Sequence, residues 1–163
     1  KSFQEAINRV HTMALIHKQI YSQESDQHLD FASYLRLLVK QLLASQVSNE
    51  QELDVKFSLE SLHLDMDRAL PCALAVNELI TNAIEHGLED EAGGRLAVEL
   101  LRRPKTVELN VCDNGNGLPE DFDIERHSSL GLRMVKGWVE NQLRGELNYD
   151  SNGHTRFTVK FPL

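Results

Sequence analysis

After residue 50 the apolar residues change period in a fixed order: strand, helix, two strands, loop, helix, two strands. Val55, Phe57 and Leu59 alternate with Lys56, Ser58 and Glu60, the period of a half-buried strand, and Leu62 to Leu64 is expected to pair with it or extend the sheet. A helix is expected from about Ala69 to Gly87, with Pro71 in its first turn, where a missing amide hydrogen costs little, and Gly87 as its stop. Residues 95–101 and 106–112 read as strands around the turn Arg103-Pro104-Lys105. A helix over Leu130 to Gln142 follows, then two last strands, Gly145 to Tyr149 and Thr155 to Phe161, joined at Ser151-Asn152-Gly153. Strands that pair mostly with sequence neighbours, and helices that come singly, predict a mixed sheet with helices on one face. This is a two-layer α/β sandwich.

Ahead of that core, Phe3, Ala6, Ile7, Val10, Met13 and Ala14 recur at three and four, an amphipathic helix running from Ser2 to about Ser22. The polar stretch Ser22 to Gln27 ends it. Asp30 is a good N-cap for a second helix, whose buried stripe is expected to be Phe31, Tyr34, Leu35, Leu38, Leu42 and Leu43. A polar loop from Ser45 to Glu52 separates it from the first strand. The expected division is therefore a helical module over residues 1–27 and one domain over 28–163 that begins with a connector helix at 30–45. A chain of 163 residues holds one domain's worth of core.

Apolar content of 41% and charged content of 26% are those of a soluble globular protein. No apolar run is long enough to span a bilayer and no signal-like stretch opens the chain, so no membrane contact and a cytoplasmic compartment are expected. The first residue is Lys1 rather than methionine, as expected of a fragment. A net charge of -8 argues against a sequence-independent nucleic-acid binder, which needs clustered Lys and Arg. Cys72 and Cys112 sit in apolar company without CxxC or Cys/His spacing and are expected to be buried, reduced thiols rather than zinc ligands.

Three segments can carry chemistry, and each also has a plainer reading. On the helix ending at Gly87, Glu78, Asn82 and His86 fall four apart, opposite the apolar stripe Ala73, Val76, Ile80, Ala83 and Ile84. They are either a solvated face or a site. Asn82 gains nothing in an exposed helix interior, whereas its amide oxygen is a serviceable Mg²⁺ ligand beside phosphate oxygens. Glu78, one turn earlier, can orient or deprotonate an attacking group. The run Asp113-Asn114-Gly115-Asn116-Gly117 is either a tight turn or the floor of a base pocket. An ionised Asp accepts only, so it selects an exocyclic amino group such as adenine N6, and glycines let backbone approach a flat base. Ser128-Ser129-Leu130-Gly131-Leu132 opens a helix, either as a Ser cap with a packing glycine or as a phosphate seat. No GxxxxGK[ST] motif is present, which excludes a P-loop. His11 and His17 face different directions on the first helix. His11 is expected at the surface and His17 as a contact within the helical pair, while His28, His63 and His154 belong to no constellation.

Taken in order, Asn77-Glu78-Leu79 through His86-Gly87, Asp113 through Pro119, Ser129-Leu130-Gly131-Leu132 and Gly153-His154-Thr155-Arg156-Phe157 resemble the ATP-binding domain of sensor histidine kinases (HATPase_c, the Bergerat fold of gyrase, Hsp90, histidine kinases and MutL). The resemblance covers residues from about 50 to 163. Arg9-Val10, Met13 to Tyr21 and Asp30 to Leu35 look like the second dimerisation helix and connector of the HisKA_2 or HWE type, in which the phosphate-accepting histidine lies on the preceding helix. The resemblance implies that ATP and Mg²⁺ bind: Asp113 would accept from adenine N6, Gly115 and Gly117 would shape the base pocket, and Thr155 would support it. Asn82 would ligate Mg²⁺, Glu78 would act near the γ-phosphate, Gly131 with Leu130 and Leu132 would present amides to the phosphates, and His86 would lie against the nucleotide. The γ-phosphoryl would pass to a histidine upstream and then to an aspartate of a response regulator receiver domain, within a homodimer built through the helices. The stretch between Pro119 and Gly131 would be an ATP lid, shorter than is usual, with only Arg126 and His127 to offer phosphate a cation or donor. The rival readings are an ATP hydrolase of the same superfamily, a nucleotide-binding docking module without turnover, and an anti-sigma serine kinase.

Overall fold

The structure is a computed structural model that describes residues 2–21, 28–47, 53–88, 93–127 and 129–163. The loop read at Ser22 to Gln27, most of that read after Ser45, and Ser128 lie outside the described residues. In chain order the elements are α1 (Ser2–Tyr21), β1 (Leu29–Asp30), α2 (Phe31–Gln46), β2 (Leu53–Leu59), β3 (His63–Leu64), α3 (Met66–Asn82), β4 (Gly94–Arg102), β5 (Thr106–Asp113), α4 (Ile124–His127), α5 (Leu130–Gly137), β6 (Glu146–Asp150) and β7 (Thr155–Pro162). Helices α3 and α5 each widen at their C-terminal ends into a π-helical turn, Ala83–Gly87 and Trp138–Gln142.

The five long strands form one sheet in the order β2-β4-β5-β7-β6, with β2 parallel to β4 and every other pair antiparallel, so the sheet is mixed as expected. Period two decides its faces. Leu96, Val98, Leu100, Val107, Leu109, Val111, Phe157, Val159 and Phe161 are buried on the side that meets the helices, and the residues between them mostly keep some exposure. Helix α3 runs across that inner face in one core with α5, and α2 packs on α3 from beyond. Each apolar side chain so buried contributes about 1.5–3 kcal/mol.

Strand register also brings two polar side chains together. Asp113 at the end of β5 lies opposite Thr155 at the start of β7, which sets the pair side by side at one end of the sheet.

Several local expectations are corrected. Leu62 to Leu64 neither pairs with β2 nor extends the sheet: β3 pairs antiparallel with β1, Phe31 N–H bonds Leu62 O at 2.9 Å, and the buried Leu62 and Leu64 join the helical layer. Helix α3 starts at Met66 because Asp65 caps it, accepting Arg68 N–H at 3.0 Å, so Pro71 lies in the second turn rather than the first. The helical run does stop at Gly87 as expected, but its last turn, from Ala83, is π-helical rather than α. Cys72 is buried, and burial pushes its thiol far up, but Cys112 is only half-buried on the outer face of the sheet. In α2, Val39 is buried in the stripe and Leu43 is half-buried. No helix among the described residues is long and apolar enough to cross a membrane.

The cap at Asp30 is as expected, and it yields a first prediction. Its carboxylate accepts Ser33 N–H at 3.2 Å and Ser33 Oγ–H at 2.7 Å. Burial raises its pKa, but the Ser33 hydroxyl and N–H outweigh that, with His63 adding to them, and the net value lies below the ordinary 3.8. The cap's contribution is therefore present above that ordinary value and is lost as pH falls through the lowered one. Asp30→Ala is expected to destabilise by about 1 kcal/mol, a fall in melting temperature of about 2–4 °C in a thermal scan at neutral pH.

Candidate functional site

Two adjoining cavities flank the C-terminal half of α3, one toward the end of β5 and the start of β7, the other toward the start of α5. The first, about 290 Å³, is apolar along Leu79, Val111, Phe122 and Phe157 and polar at Asp113, Thr155 and Asn82. That volume sits near the lower limit of small-molecule pockets, about 300 Å³. Asp113 is 5% exposed. One of its oxygens accepts Gly115 N–H at 3.0 Å, so the turn following β5 is braced by the same carboxylate that faces the cavity. Burial raises the Asp113 pKa, against the lowering effects of Gly115 N–H, the Thr155 hydroxyl and His154. A buried acceptor with lone pairs still free is chemically suited to an amino donor.

In this turn Gly117 needs to be glycine. Its φ is +76°, and a Cβ there would lie 2.7 Å from Ser151 Oγ. Ser151 Oγ accepts Leu118 N–H at 2.6 Å and donates to Leu118 O at 3.1 Å, which clips the start of the following loop to the β6–β7 turn. Gly115 contributes its N–H to Asp113 and has no positive φ. Farther along, Tyr149 O–H bonds Phe122 O at 3.0 Å and the two rings meet edge to face at 5.3 Å. The loop then forms the short helix α4, four residues with too little length to show a period in the sequence. Glu125 in α4 pairs with Lys136 of α5.

The second cavity, about 330 Å³, is edged by Glu78, Thr81, Asn82, Glu85, His86, Ser129, Leu130 and Gly131. It shares Asn82, His86 and Ser129 with the first. Asn82 Nδ2 is buried and has no hydrogen-bond partner among the described residues. An unsatisfied buried donor costs about 1–3 kcal/mol, so a ligand atom that accepts from Nδ2 recovers a standing penalty. His86 is exposed on the rim, with Nε2 4.0 Å from Glu85. Leu130 is 62% exposed at the mouth, whereas the side chain of Leu132 is buried in the core. Ser129 caps α5, its Oγ accepting Leu132 N–H at 3.5 Å. Gly131 sits against Glu78, and a Cβ built on it would collide with Oε2.

The face of α3 read as polar is covered at its Glu78 end, although His86 at its other end is exposed. Glu78 is 4% exposed and Asn77 1%, because α1 lies across them. Arg9 of α1 donates from Nε to Glu78 Oε1 at 2.8 Å and from Nη2 to Oε2 at 3.1 Å. Asn77 Nδ2 donates to Oε1 at 3.2 Å, and Thr12 Oγ1 donates to Asn77 Oδ1 at 3.3 Å. Tyr34 O–H closes the seam on Thr12 O at 3.2 Å. Neither Arg9 nor Asn77 stands out as a site residue in the sequence. Arg9 and Thr12 lie off the apolar stripe read on α1, and it is their side that meets α3: Thr12 is buried, while Val10 and Met13 of the stripe are exposed. His11 is exposed, as expected, and the side chains of His17 and His127 are outside the described ones.

Residues 68–163 match the family described as histidine kinase-, DNA gyrase B-, and HSP90-like ATPase, and residues 1–46 match the histidine kinase family HisKA_2. The sensor histidine kinase PdtaS of Mycobacterium tuberculosis is 28% identical over 144 residues, covering 88% of this chain and 28% of that protein. The blue-light-activated histidine kinase 2 of Erythrobacter litoralis is 24% identical over 167 residues, covering 99% of this chain and 47% of that one. The chain thus spans less than half the length of either relative. Among solved structures, the histidine kinase domain of the Erythrobacter litoralis EL346 blue-light activated kinase superposes with a TM-score of 0.88 at 24% identity, over 98% of this chain and 75% of that one. That likeness shows the fold, with α1 included. On the match of its larger part, over residues 68–163, the chain belongs to the family of histidine kinase-, DNA gyrase B- and HSP90-like ATPases.

Proposed function

We propose that the chain is the catalytic part of a two-component sensor histidine kinase, binding Mg-ATP and passing the γ-phosphoryl to a histidine on another helix, from which a response regulator receiver domain takes it. The observation that carries this reading is the place of the Asn82 side chain at the junction of the two cavities, where its Nδ2 is buried without a partner among the described residues. One cavity ends on an acceptor fit for adenine, and the other is edged by a carboxylate and a helix start fit for phosphates. In this reading Asp113 accepts from adenine N6 and Thr155 supports it, while Gly117 gives the loop its path around the base. Asn82 holds Mg²⁺ through its oxygen, and the residues present fit a metal that takes one or two protein groups beside phosphate. Bound Mg²⁺ neutralises phosphate charge. Glu78 lies beside the γ-phosphate, the first turn of α5 from Leu130 to Leu132 presents amides to the phosphates, and His86 flanks them from the rim. Most of the rate then comes from positioning rather than from covalent chemistry by the protein.

The same reading puts the chain in the cytoplasm, divides it at residues 27 and 28, and makes the full-length protein a homodimer through its helices, without nucleic-acid contact. It is tested by calorimetry with a non-hydrolysable ATP analogue, with and without Mg²⁺. Binding that strengthens with Mg²⁺ is expected, and Asn82→Ala is expected to lose on the order of 10- to 100-fold of the Mg²⁺-dependent affinity. Absence of nucleotide binding by the unaltered chain overturns the reading, and full metal dependence in Asn82→Ala puts the metal elsewhere. Steady phosphate release without histidine phosphorylation would favour the hydrolase.

A further inference from the structure

Glu78 and Arg9 are 69 positions apart in the chain, yet they form a two-point ion pair in which the side chains are only 6% and 18% exposed. A pair this deep is strongly destabilising to break on one side, since it leaves a buried charge without its partner. A two-point bond with arginine also fixes how the carboxylate is turned. The orientation here is particular. An ionised carboxylate offers about four lone-pair sites. Arg9 Nε and Asn77 Nδ2 take Oε1, and Arg9 Nη2 takes one site on Oε2. Oε2 is also the oxygen against Gly131, at the wall of the phosphate-sized cavity. The fork of Arg9 therefore fixes the rotamer of Glu78 and leaves open a site on the oxygen at the cavity wall.

We infer that Arg9, from helix α1 and outside the ATP-binding domain, is a positioning residue that aims the Glu78 carboxylate into the phosphate cavity, so that phosphoryl transfer requires α1 to be seated on α3. This rests on the proposed function. The neighbouring bonds make the seat specific in register, because Thr12, one turn along α1, meets Asn77, and Tyr34 of α2 holds Thr12 O. Sliding or rotating α1 by a turn would remove Arg9 from Glu78 while leaving Asp113, Asn82 and the base cavity untouched. The seat of α1 thus governs turnover and not nucleotide affinity.

The test uses the full-length protein, with nucleotide affinity and steady-state phosphoryl transfer measured side by side. Arg9→Gln removes the charge and the fork, and it is expected to lower kcat on the order of 10- to 100-fold, the cost of a misplacement of about 1 Å. KM for ATP is expected to stay within about twofold, because an interaction felt only at the transition state leaves ground-state binding alone. Arg9→Lys keeps a cation but cannot grip both oxygens, so kcat is expected to fall by a smaller factor with KM again unchanged. It carries the test if Arg9→Gln does not fold. Thr12→Val removes one bond of the seam while leaving both Arg9–Glu78 bonds in place, so it is expected to lower kcat by a much smaller factor than Arg9→Gln. The inference is overturned if the Arg9 variants retain full kcat, if they raise it and so reveal a brake, if they weaken nucleotide binding as much as turnover, or if Thr12→Val loses as much as Arg9→Gln. Nucleotide affinity of the unaltered protein separates the two failures: without it the ATP reading falls, and with it only the role of Arg9 is at stake.

Discussion

Asp113→Asn is expected to weaken ATP binding on the order of 100-fold or more while leaving the nucleotide-free fold as stable or slightly more so. The two effects have one cause. Asp113 is nearly inaccessible, and burial raises its pKa above the ordinary 3.8 despite the donors that surround it. For an acid whose pKa is raised on folding, the stabilising contribution is fully present below the unfolded value and is lost as pH rises through the folded one. At neutral pH the ionised carboxylate is therefore a cost to the fold. Asparagine removes that charge and still offers one oxygen to Gly115 N–H. What it cannot offer is a second acceptor, and its amide hydrogens would confront the amino group of adenine. Calorimetry with nucleotide, together with a thermal scan without it, separates the two effects. Unchanged affinity would remove Asp113 from the base pocket. The same shift predicts that affinity declines as pH is lowered through the raised value, because the protonated carboxyl gains a donor where an acceptor is needed.

Gly131→Ala is expected to reduce phosphoryl transfer on the order of 100-fold and to destabilise the protein, the opposite of what helix propensity alone dictates. In an ordinary helix this replacement stabilises by about 1 kcal/mol. Here the new Cβ would collide with Glu78 Oε2 and come within 3.4 Å of Glu78 Cδ. A free glutamate would swing aside, but Glu78 is held by Arg9 and Asn77, so the first turn of α5 has to move, carrying the Ser129 cap with it. Melting temperature and single-turnover rate on the same variant check this. A more stable variant with full activity would make Gly131 an ordinary helix glycine and Glu78 free to reorient.

The period-two runs of β4, β5 and β7 are legible in the sequence because each buries one face, and that of β2 because it half-buries one. The cap of α2 is legible because Asp30 bonds Ser33 within one turn. Elements too short to show a period are not: β1 and β3, of two residues each, are held together by the burial of Leu29, Leu62 and Leu64. At the start of α3, Pro71 is a conspicuous punctuation mark while Asp65 looks like any polar loop residue, although Asp65 makes the bond that sets the helix start. Cys112 has apolar neighbours in sequence but points to the other face of β5, beside Arg156.

Residue chemistry and local spacing by themselves determine that Asp113 ends a strand, that Gly117 can turn the loop, and that Glu78, Asn82 and His86 lie along one side of a helix. They leave open whether that side meets water or protein. Only the packing of α1 on α3 decides it, since exposure is a property of what lies opposite and not of a helix's own period. That packing covers Glu78 with Arg9, leaves the Asn82 carboxamide at the junction of two cavities, and turns Gly131 from a helix residue into the wall against which a carboxylate rests. An ion pair between residues 9 and 78 has no local signature, because its partners are brought together by the apolar contacts of the helical layer around them.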